Sequence, residues 1–377
     1  MSENVAKMHI VIDARIRRAS TGRYIDRLLE HLQNIDPDNR YTILVQPDDG
    51  WQPKATNFTA IAAPYPQFSF NPLDQFRFAG QLYSLKPDLV HFPMNQQPIL
   101  YFGKVVTSTL DLTMLRFSRP GKTLLPIFWL KMLGYRFLFW YSNRRSKAII
   151  TISHFVQEDL AKRYRFTAKK TTTTHCASEP PLTVATKKPD FVTKNENFLL
   201  YVGAAFPHKN LQLLVDALPQ IESNPNLKLI MVGKKEHYYE QLEKYILRKP
   251  YADRIVTPGF VTDAELKWLY QHCAAYVFPS LSEGFGLPGL EAMVHGAPVV
   301  SSNATCLPEI YGDAALYFNP NNIEDTAQKI ERVLDNKDFR RELIARGHEQ
   351  AKKFSWRTMA EQTLDVYTSV LNKRRRL

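Results

Sequence analysis

Apolar residues along the chain alternate between short β-branched runs and stretches with helical spacing. Met8-His-Ile-Val-Ile-Asp13 reads as a strand, and after a basic loop Tyr24, Ile25, Leu28, Leu29 and Leu32 recur as one helix face. Further strands are predicted at Tyr41–Val45, Leu89–Phe92, Val105–Thr109 and Ala148–Ile152, with a helical pattern over Asp74–Leu85 among them. Parallel strands need a crossover, which a helix supplies, so this alternation predicts a parallel sheet covered on both faces. Residues 167–197 break the pattern: they are rich in threonine, lysine and proline, follow neither period, and read as an interdomain connection. A second alternation begins at Phe198–Val202. It runs through a helix over Asn210–Ile221, a strand at Leu227–Val232, a helix over Glu236–Leu247 and a strand at Arg254–Thr257. A helix from Asp263, a strand at Ala275–Phe278, a helix over Pro288–His295 and a strand at Pro298–Ser301 complete it. The pattern predicts two α/β domains in series with a cleft between them, residues 1–185 and from 186 onward.

The length, 377 residues, suits two cores better than one. Its three cysteines, Cys176, Cys273 and Cys306, are far apart and form neither a disulfide framework nor a zinc-knuckle spacing. With no apolar leader over Met1 to Lys7, the expectation is a cytoplasmic protein. The net charge of +12 is unevenly shared: residues 1–190 carry 26 Lys/Arg against 15 Asp/Glu, whereas residues 191–377 carry 23 against 22. The front half is therefore expected to meet something anionic.

One segment stands apart. Arg116–Lys147 has eight basic residues, no acidic ones, and eight aromatics. Its apolar centre is interrupted by Lys131 and Arg136, which argues against a spanning helix. A basic, aromatic-rich amphipathic helix instead suits the plane of an anionic membrane surface, on its cytoplasmic face. A core helix with a solvated basic face is the alternative.

Three loops carry candidate chemistry. After Phe198–Val202 comes Gly203-Ala-Ala-Phe-Pro-His-Lys-Asn210, a small-residue turn leading into a helix. Such a turn presents backbone N–H groups to an anion, and Lys209, with His208 beside it, adds a cation for a diphosphate. In Pro279-Ser-Leu-Ser-Glu283-Gly-Phe-Gly-Leu-Pro-Gly-Leu-Glu291, two carboxylates flank a glycine-rich turn that opens a helix. Gly284, Gly286 and Gly289 permit close backbone approach, and Glu283 and Glu291 are placed to face one ligand. The third loop, Ser301 to Glu309, precedes a helical turn whose amides suit phosphate oxygens.

Together, Tyr201-Val-Gly through His208-Lys209-Asn210, Val232-Gly233, Pro258-Gly-Phe-Val261, Glu283 through Glu291 and Leu307-Pro-Glu-Ile-Tyr-Gly-Asp313 resemble the donor-binding half of family 4 glycosyltransferases. Asp13-Ala-Arg and Gly22-Arg-Tyr resemble the acceptor-side loop of its mannosyltransferase-like branch, and Phe354-Ser-Trp356 resembles the start of the family's closing helix. The resemblance implies a GT-B fold: two Rossmann-like α/β/α domains whose parallel sheets face a central cleft, acceptor side first and donor side second, with residues 356–377 crossing back. It implies that Glu283 contacts sugar hydroxyls at the reacting centre, that Glu291 bonds the nucleotide ribose, and that Lys209 neutralises the departing diphosphate. The Thr305, Cys306 and Leu307 amides would cradle the phosphates, with Gly203, His208, Gly284, Phe285, Gly286 and Leu287 in the same donor site. Phe260 and Val261 would line the base pocket, Gly22 would let the first-domain loop approach the phosphates, and Asp111 would serve on the acceptor side.

The implied reaction is retaining transfer of a hexose from a nucleotide diphosphate sugar, GDP-mannose being favoured, to a glycan or polyprenyl-linked acceptor. No cofactor and no metal are expected. Two departures stand out: His208 occupies a position where the family commonly has Arg, and Leu110 one where many relatives carry a His. His91, after the Asp88-Leu-Val run, reads as a core histidine. A sugar-nucleotide epimerase of the same fold and a nucleotide-sugar-binding protein without turnover remain alternatives. A dinucleotide oxidoreductase is excluded by the single glycine in the first βα loop, and nucleic-acid binding has no supporting signature.

Overall fold

The computed structural model describes residues 7–18, 21–66, 69, 71–118, 124–193 and 196–372. The basic run Lys373–Arg376 lies outside them. In chain order the first part is β1 (His9–Asp13), α1 (Gly22–Ile35), β2 (Arg40–Val45), β3 (Phe58–Ala62), α2 (Pro72–Leu85), β4 (Leu89–Phe92) and β5 (Val105–Thr109). There follow α3 (Thr113–Arg116), α4 (Leu125–Arg145), β6 (Ala148–Thr151), α5 (His154–Arg163) and β7 (Thr171–Thr173). The second part is β8 (Phe198–Val202), α6 (Leu211–Ala217), β9 (Lys228–Val232), α7 (His237–Ile246), β10 (Ile255–Gly259), α8 (Asp263–His272) and β11 (Ala275–Phe278). Then come α9 (Leu287–Val294), β12 (Val299–Ser302), α10 (Leu307–Tyr311), β13 (Ala315–Phe318), α11 (Ile323–Asp335), α12 (Lys337–Lys352) and, last, α13 (Trp356–Asn372).

These elements form two compact units, one of residues up to Cys176 together with 356 onward, the other Ala177–Ser355. The first unit carries a seven-stranded parallel sheet in the order β3-β2-β1-β4-β5-β6-β7. The second carries a six-stranded parallel sheet in the order β10-β9-β8-β11-β12-β13. The central strands are apolar on both faces, as parallel strands sandwiched between helices must be: every residue of β1, β4, β5 and β6 is buried.

The connection predicted over 167–197 is partly structure. Thr171–Thr173 pairs with Ile149–Thr151 as the edge strand β7. A three-residue edge strand of threonines is too short to show a period, but β-branched side chains suit an extended edge. The helix expected over Asn210–Ile221 shortens to Leu211–Ala217 and tightens into a 3₁₀ turn over Leu218–Gln220, where Pro219 lacks the N–H that an α-turn needs.

Within the first unit, α13 buries Met359, Ala360, Thr363, Val366, Tyr367 and Val370, and α1 buries Tyr24, Ile25, Leu28 and Leu29. A polar thread runs through this core. His91 Nδ1 bonds the Tyr367 hydroxyl at 2.6 Å, His91 Nε2 bonds Ser108 Oγ at 2.8 Å, and Tyr24 meets the same Oγ at 2.9 Å. His91 is thus a satisfied core histidine joining β4 to the closing helix.

Helix α4 departs from the amphipathic expectation. Phe128, Met132, Leu138 and Phe139 point inward, yet Leu125, Ile127, Trp129, Leu130, Leu133, Phe137 and Trp140 are exposed. The outward side is itself apolar, with Lys131 and Arg136 set into it. Among the described residues no helix is long and apolar enough to cross a membrane.

Burial holds the His91 imidazole down at about 3, against an ordinary 6.5. As pH falls from about 6.5 toward 3, the unfolded chain takes up a proton that the folded chain refuses, so stability is lost with acid at up to about 1.4 kcal/mol per pH unit. His91→Gln is expected to flatten that dependence in urea unfolding between pH 6 and pH 4; a slope equal to wild type would clear His91 of the effect.

Candidate active site

In the second unit the strand order reverses between β8 and β11. At such a switch point the crossovers on either side run to opposite faces, so the loops leaving the carboxyl ends of the two strands part and leave a crevice. The loops that leave these two strands are the ones that carry Lys209 and Glu283. Their side chains meet: Lys209 Nζ lies 2.6 Å from Glu283 Oε1, and they are only 18 and 11 % exposed. The Lys209 ammonium also stands 5.6 Å from the centre of the Phe278 ring, at the end of β11. A cation and a carboxylate are thereby held together, half out of water, where a ligand's charged and hydroxyl groups would both find partners.

The loops are tied to one another through the backbone. Leu281 N–H donates to the His208 carbonyl at 2.7 Å, joining the second loop to the first. Glu283 N–H donates to Thr305 Oγ1 at 3.1 Å, and Cys306 Sγ donates to the Glu283 carbonyl at 3.3 Å, so the third loop brackets Glu283 on both sides. Thr305 takes a left-handed φ of 56° to do so. The Cys306 thiol is wholly buried; burial, with Glu283 and Glu309 adding, pushes its pKa well up, which keeps it a donor and not a nucleophile.

Three tyrosines that the sequence did not single out shape the turns. Tyr201 donates to the Ala204 carbonyl at 2.8 Å and Tyr239 to the Gly203 carbonyl at 3.2 Å, which fixes the loop after β8. Tyr311 donates to the Gly286 carbonyl at 2.6 Å. Burial raises the pKa of Tyr201 and Tyr311 far above the ordinary value, so both phenols stay neutral donors. Only their buried, β-rich or helical context was readable from sequence; a hydroxyl aimed at a turn leaves no pattern.

The glycines of the second loop have two different reasons. Gly286 has φ +92°, and a Cβ there would also come within 2.6 Å of Leu307 and of the Tyr311 hydroxyl. Gly289, inside α9, would drive a Cβ to 2.3 Å from the Tyr311 ring. Leu287 opens α9, with Pro288 in its first turn, and Glu291 follows one turn later, half-buried.

The remaining expected residues lie on these loops, after β10 and in the first unit. The Phe285 side chain is buried edge-on against Phe354 at 5.5 Å. The Gly284 backbone is buried beside it, and Leu307 is buried at the start of α10. His208 stacks on Phe206 at 5.8 Å. Phe260, 76 % exposed, and Val261 follow β10, the edge strand of the sheet. In the first unit, Asp111 accepts a 2.7 Å hydrogen bond from Thr113 N–H and so caps α3, while Leu110 is buried. At Gly22 a Cβ would fall 1.6 Å from the Arg17 carbonyl oxygen, so the loop's seat on α1 requires glycine. The Asp13-Ala-Arg15 motif forms a buried ion pair, Arg15 bonding both Asp13 oxygens at 2.7 Å.

Residues 185–350 match the family model described as glycosyl transferases group 1. This segment is a group 1 glycosyl transferase domain. It contains the three loops built above, from Gly203 to Leu307. The chain is 34 % identical over 230 residues to O-antigen chain mannosyltransferase B of Escherichia coli, covering 59 % of this chain and 60 % of that one. It is 37 % identical over 180 residues to the serotype-specific mannosyltransferase WbdA of the same species, 47 % of this chain and 22 % of the relative. The chain thus spans less than two thirds of the length of these relatives. Sucrose-phosphate synthase of Thermosynechococcus elongatus superposes with a TM-score of 0.74 at 18 % identity, over 97 % of this chain and all of that one. The fold class is GT-B, and the mannosyltransferase-like resemblance drawn from the motifs holds.

Gly289→Ala is expected to cost the group 1 domain about 1–3 kcal/mol by overpacking against Tyr311. Tyr311→Leu should cost a similar amount alone, while the double variant recovers part of the sum, because the clash disappears with the ring. Strictly additive losses in denaturant unfolding would show that the ring and the glycine do not constrain each other.

Proposed function

We propose that this chain is a retaining glycosyltransferase that moves a hexose, mannose from GDP-mannose, to a glycan or polyprenyl-linked glycan. The observation that carries the reading is the Lys209–Glu283 pair at the carboxyl ends of β8 and β11. In the reaction the bond from the sugar's anomeric carbon to the diphosphate oxygen breaks, a bond to an acceptor hydroxyl oxygen forms, and the hydroxyl proton passes to the oxygen of the departing nucleoside diphosphate. Negative charge grows on the departing diphosphate, and Lys209 is the residue to neutralise it, with the amides of Thr305, Cys306 and Leu307 beside it. Glu283 would then release Lys209 to the phosphates and turn its carboxylate to sugar hydroxyls, with Glu291 on the ribose. His208 would assist at the phosphates, and Phe260 and Val261 would lie along the base. No metal has a role here, because cations and helix ends supply the charge. Mannose as the sugar is supported by the relatives, which are named as mannosyltransferases of O-antigen and serotype-specific chains.

The same proposal sets the enzyme on an anionic membrane surface through α4, where a lipid-linked acceptor would be found. A helix of a soluble protein ordinarily turns a polar side outward. The exposed Trp129, Leu130, Leu133 and Trp140 suit the interfacial layer instead, with Arg144 and Arg145 at the helix end suited to anionic headgroups.

Calorimetric titration with GDP, UDP, ADP and dTDP should give tight binding of GDP, lost in Lys209→Ala. Glu283→Ala should keep the fold and nucleotide binding but lower transfer on the order of 100-fold or more. Tight binding of another diphosphate would change the donor, and wild-type turnover in Glu283→Ala would remove that residue from the mechanism. An epimerised donor appearing without acceptor would replace transfer by epimerisation. For the membrane reading, Leu130→Glu with Leu133→Glu should abolish sedimentation with phosphatidylglycerol vesicles while leaving GDP binding intact; unchanged sedimentation would return α4 to a solvated role.

A further inference from the structure

The first unit holds a second charged site at the opposite edge of its sheet from the loops after the strands. Lysines stand immediately before three adjacent strands: Lys104 before β5, Lys147 before β6 and Lys170 before β7. These strands are parallel, with Val106 facing Ala148 and Ile149 facing Thr171, so their N-terminal ends bring the lysines to one edge of the sheet, each stepped by one residue from the next. With Lys169, they line a cavity of about 850 Å³ closed on one side by Val366, Ser369 and Val370 of α13. That volume is within the range of small-ligand pockets. Among the described residues, Asp88 is the carboxylate that lines it, and it already accepts the His9 N–H at 2.8 Å.

The lysines have different duties. Lys170 is structural: its ammonium donates to the carbonyls of Asn143, Arg144 and Ser146 at 2.6, 3.1 and 2.8 Å, which caps the C-terminal end of α4. Burial, with the neighbouring charges of Arg144 and Lys147, lowers its pKa to about 8. Cations are therefore crowded here to a degree that an anion would relieve. Lys147 and Lys169 are exposed, and among the described residues no carboxylate lies within ion-pair distance of either. The exposed Phe102 forms another part of the wall, with the Arg145 guanidinium 5.3 Å over its ring. The basic end of α4 thus reaches the cavity wall through Arg145.

We propose that this cavity binds a phosphate-bearing anion, contacted by Lys147 and Lys169 with Lys104 on the same wall. Neither the donor site nor the sugar transfer requires it; its lipid arm alone rests on the membrane reading of α4, and a chain carrying Leu130→Glu with Leu133→Glu separates the two, since pyrophosphate protection of Lys147 and Lys169 persists there. The phosphate is either a lipid headgroup or a soluble phosphate compound, since the recognising chemistry is shared.

Amine-reactive labelling of the full chain, mapped lysine by lysine by mass spectrometry, separates this site from Lys209. The arms are phosphatidylglycerol vesicles, phosphatidylcholine vesicles, inorganic pyrophosphate, and chloride at matched ionic strength, with exposed Lys162 as the control. Lys147 and Lys169 should be protected by phosphatidylglycerol, by pyrophosphate or by both, and Lys162 by neither. Protection by phosphatidylglycerol alone assigns a lipid headgroup; protection by pyrophosphate alone assigns a soluble phosphate compound. Lys147→Gln and Lys169→Gln should each weaken the protecting interaction about fivefold. Equal labelling in every arm, or equal protection by phosphatidylcholine, would overturn the proposal.

Discussion

Parallel pairing of β8 with β11 is the constraint on which the candidate site depends. These strands are far apart in sequence, and each is the root of a loop too polar to fold on its own. Once paired, with the strand order reversing between them, they aim both loops to the same end of the sheet. The Lys209–Glu283 contact at 2.6 Å follows from that pairing. Without it the two residues would be an ordinary loop cation and an ordinary loop acid.

Backbone hydrogen bonding then turns the pairing into a precise geometry. A polar loop at the end of a parallel strand must find partners for its N–H and C=O groups, or pay in unsatisfied dipoles. Here neighbouring loops and buried tyrosines supply them: Thr305 and Cys306 hold Glu283, Tyr201 and Tyr239 hold the turn after β8, and Tyr311 holds Gly286. The phenols are far too buried to ionise and act as fixed donors. The glycines at 286 and 289 are the counterpart of the same packing, because the Tyr311 ring occupies the space that their side chains would need.

The first unit follows a different logic. Its sheet has the same doubly wound order, and its core is closed by α13 and threaded by the His91 bonds. Its unusual features lie outside that core. Helix α4 is apolar on both sides, and its basic end leads into the lysine row before β5, β6 and β7. Of the basic residues that give residues 1–190 their excess, Lys104, Lys147, Lys169 and Lys170 come together at that sheet edge.

Local physics made much of this legible from sequence alone. Apolar runs and helical periods are set by neighbouring residues, so the inner strands of both sheets, most helices and the three loops of the second domain could be read directly, whereas the edge strands β3 and β13 were not. The family resemblance brought Lys209, Glu283 and the glycine-rich turn together as one chemical unit. Other features were decided only by tertiary structure. The edge strand Thr171–Thr173 exists because β6 offers it a partner. Phe285 turns its ring into the core against Phe354. The exposed apolar side of α4 was hidden because periodicity reports which residues are apolar and not which of them find a neighbour. Hydrogen-bond partners and close approaches are set by segments distant in sequence, and residue type alone carries no record of them.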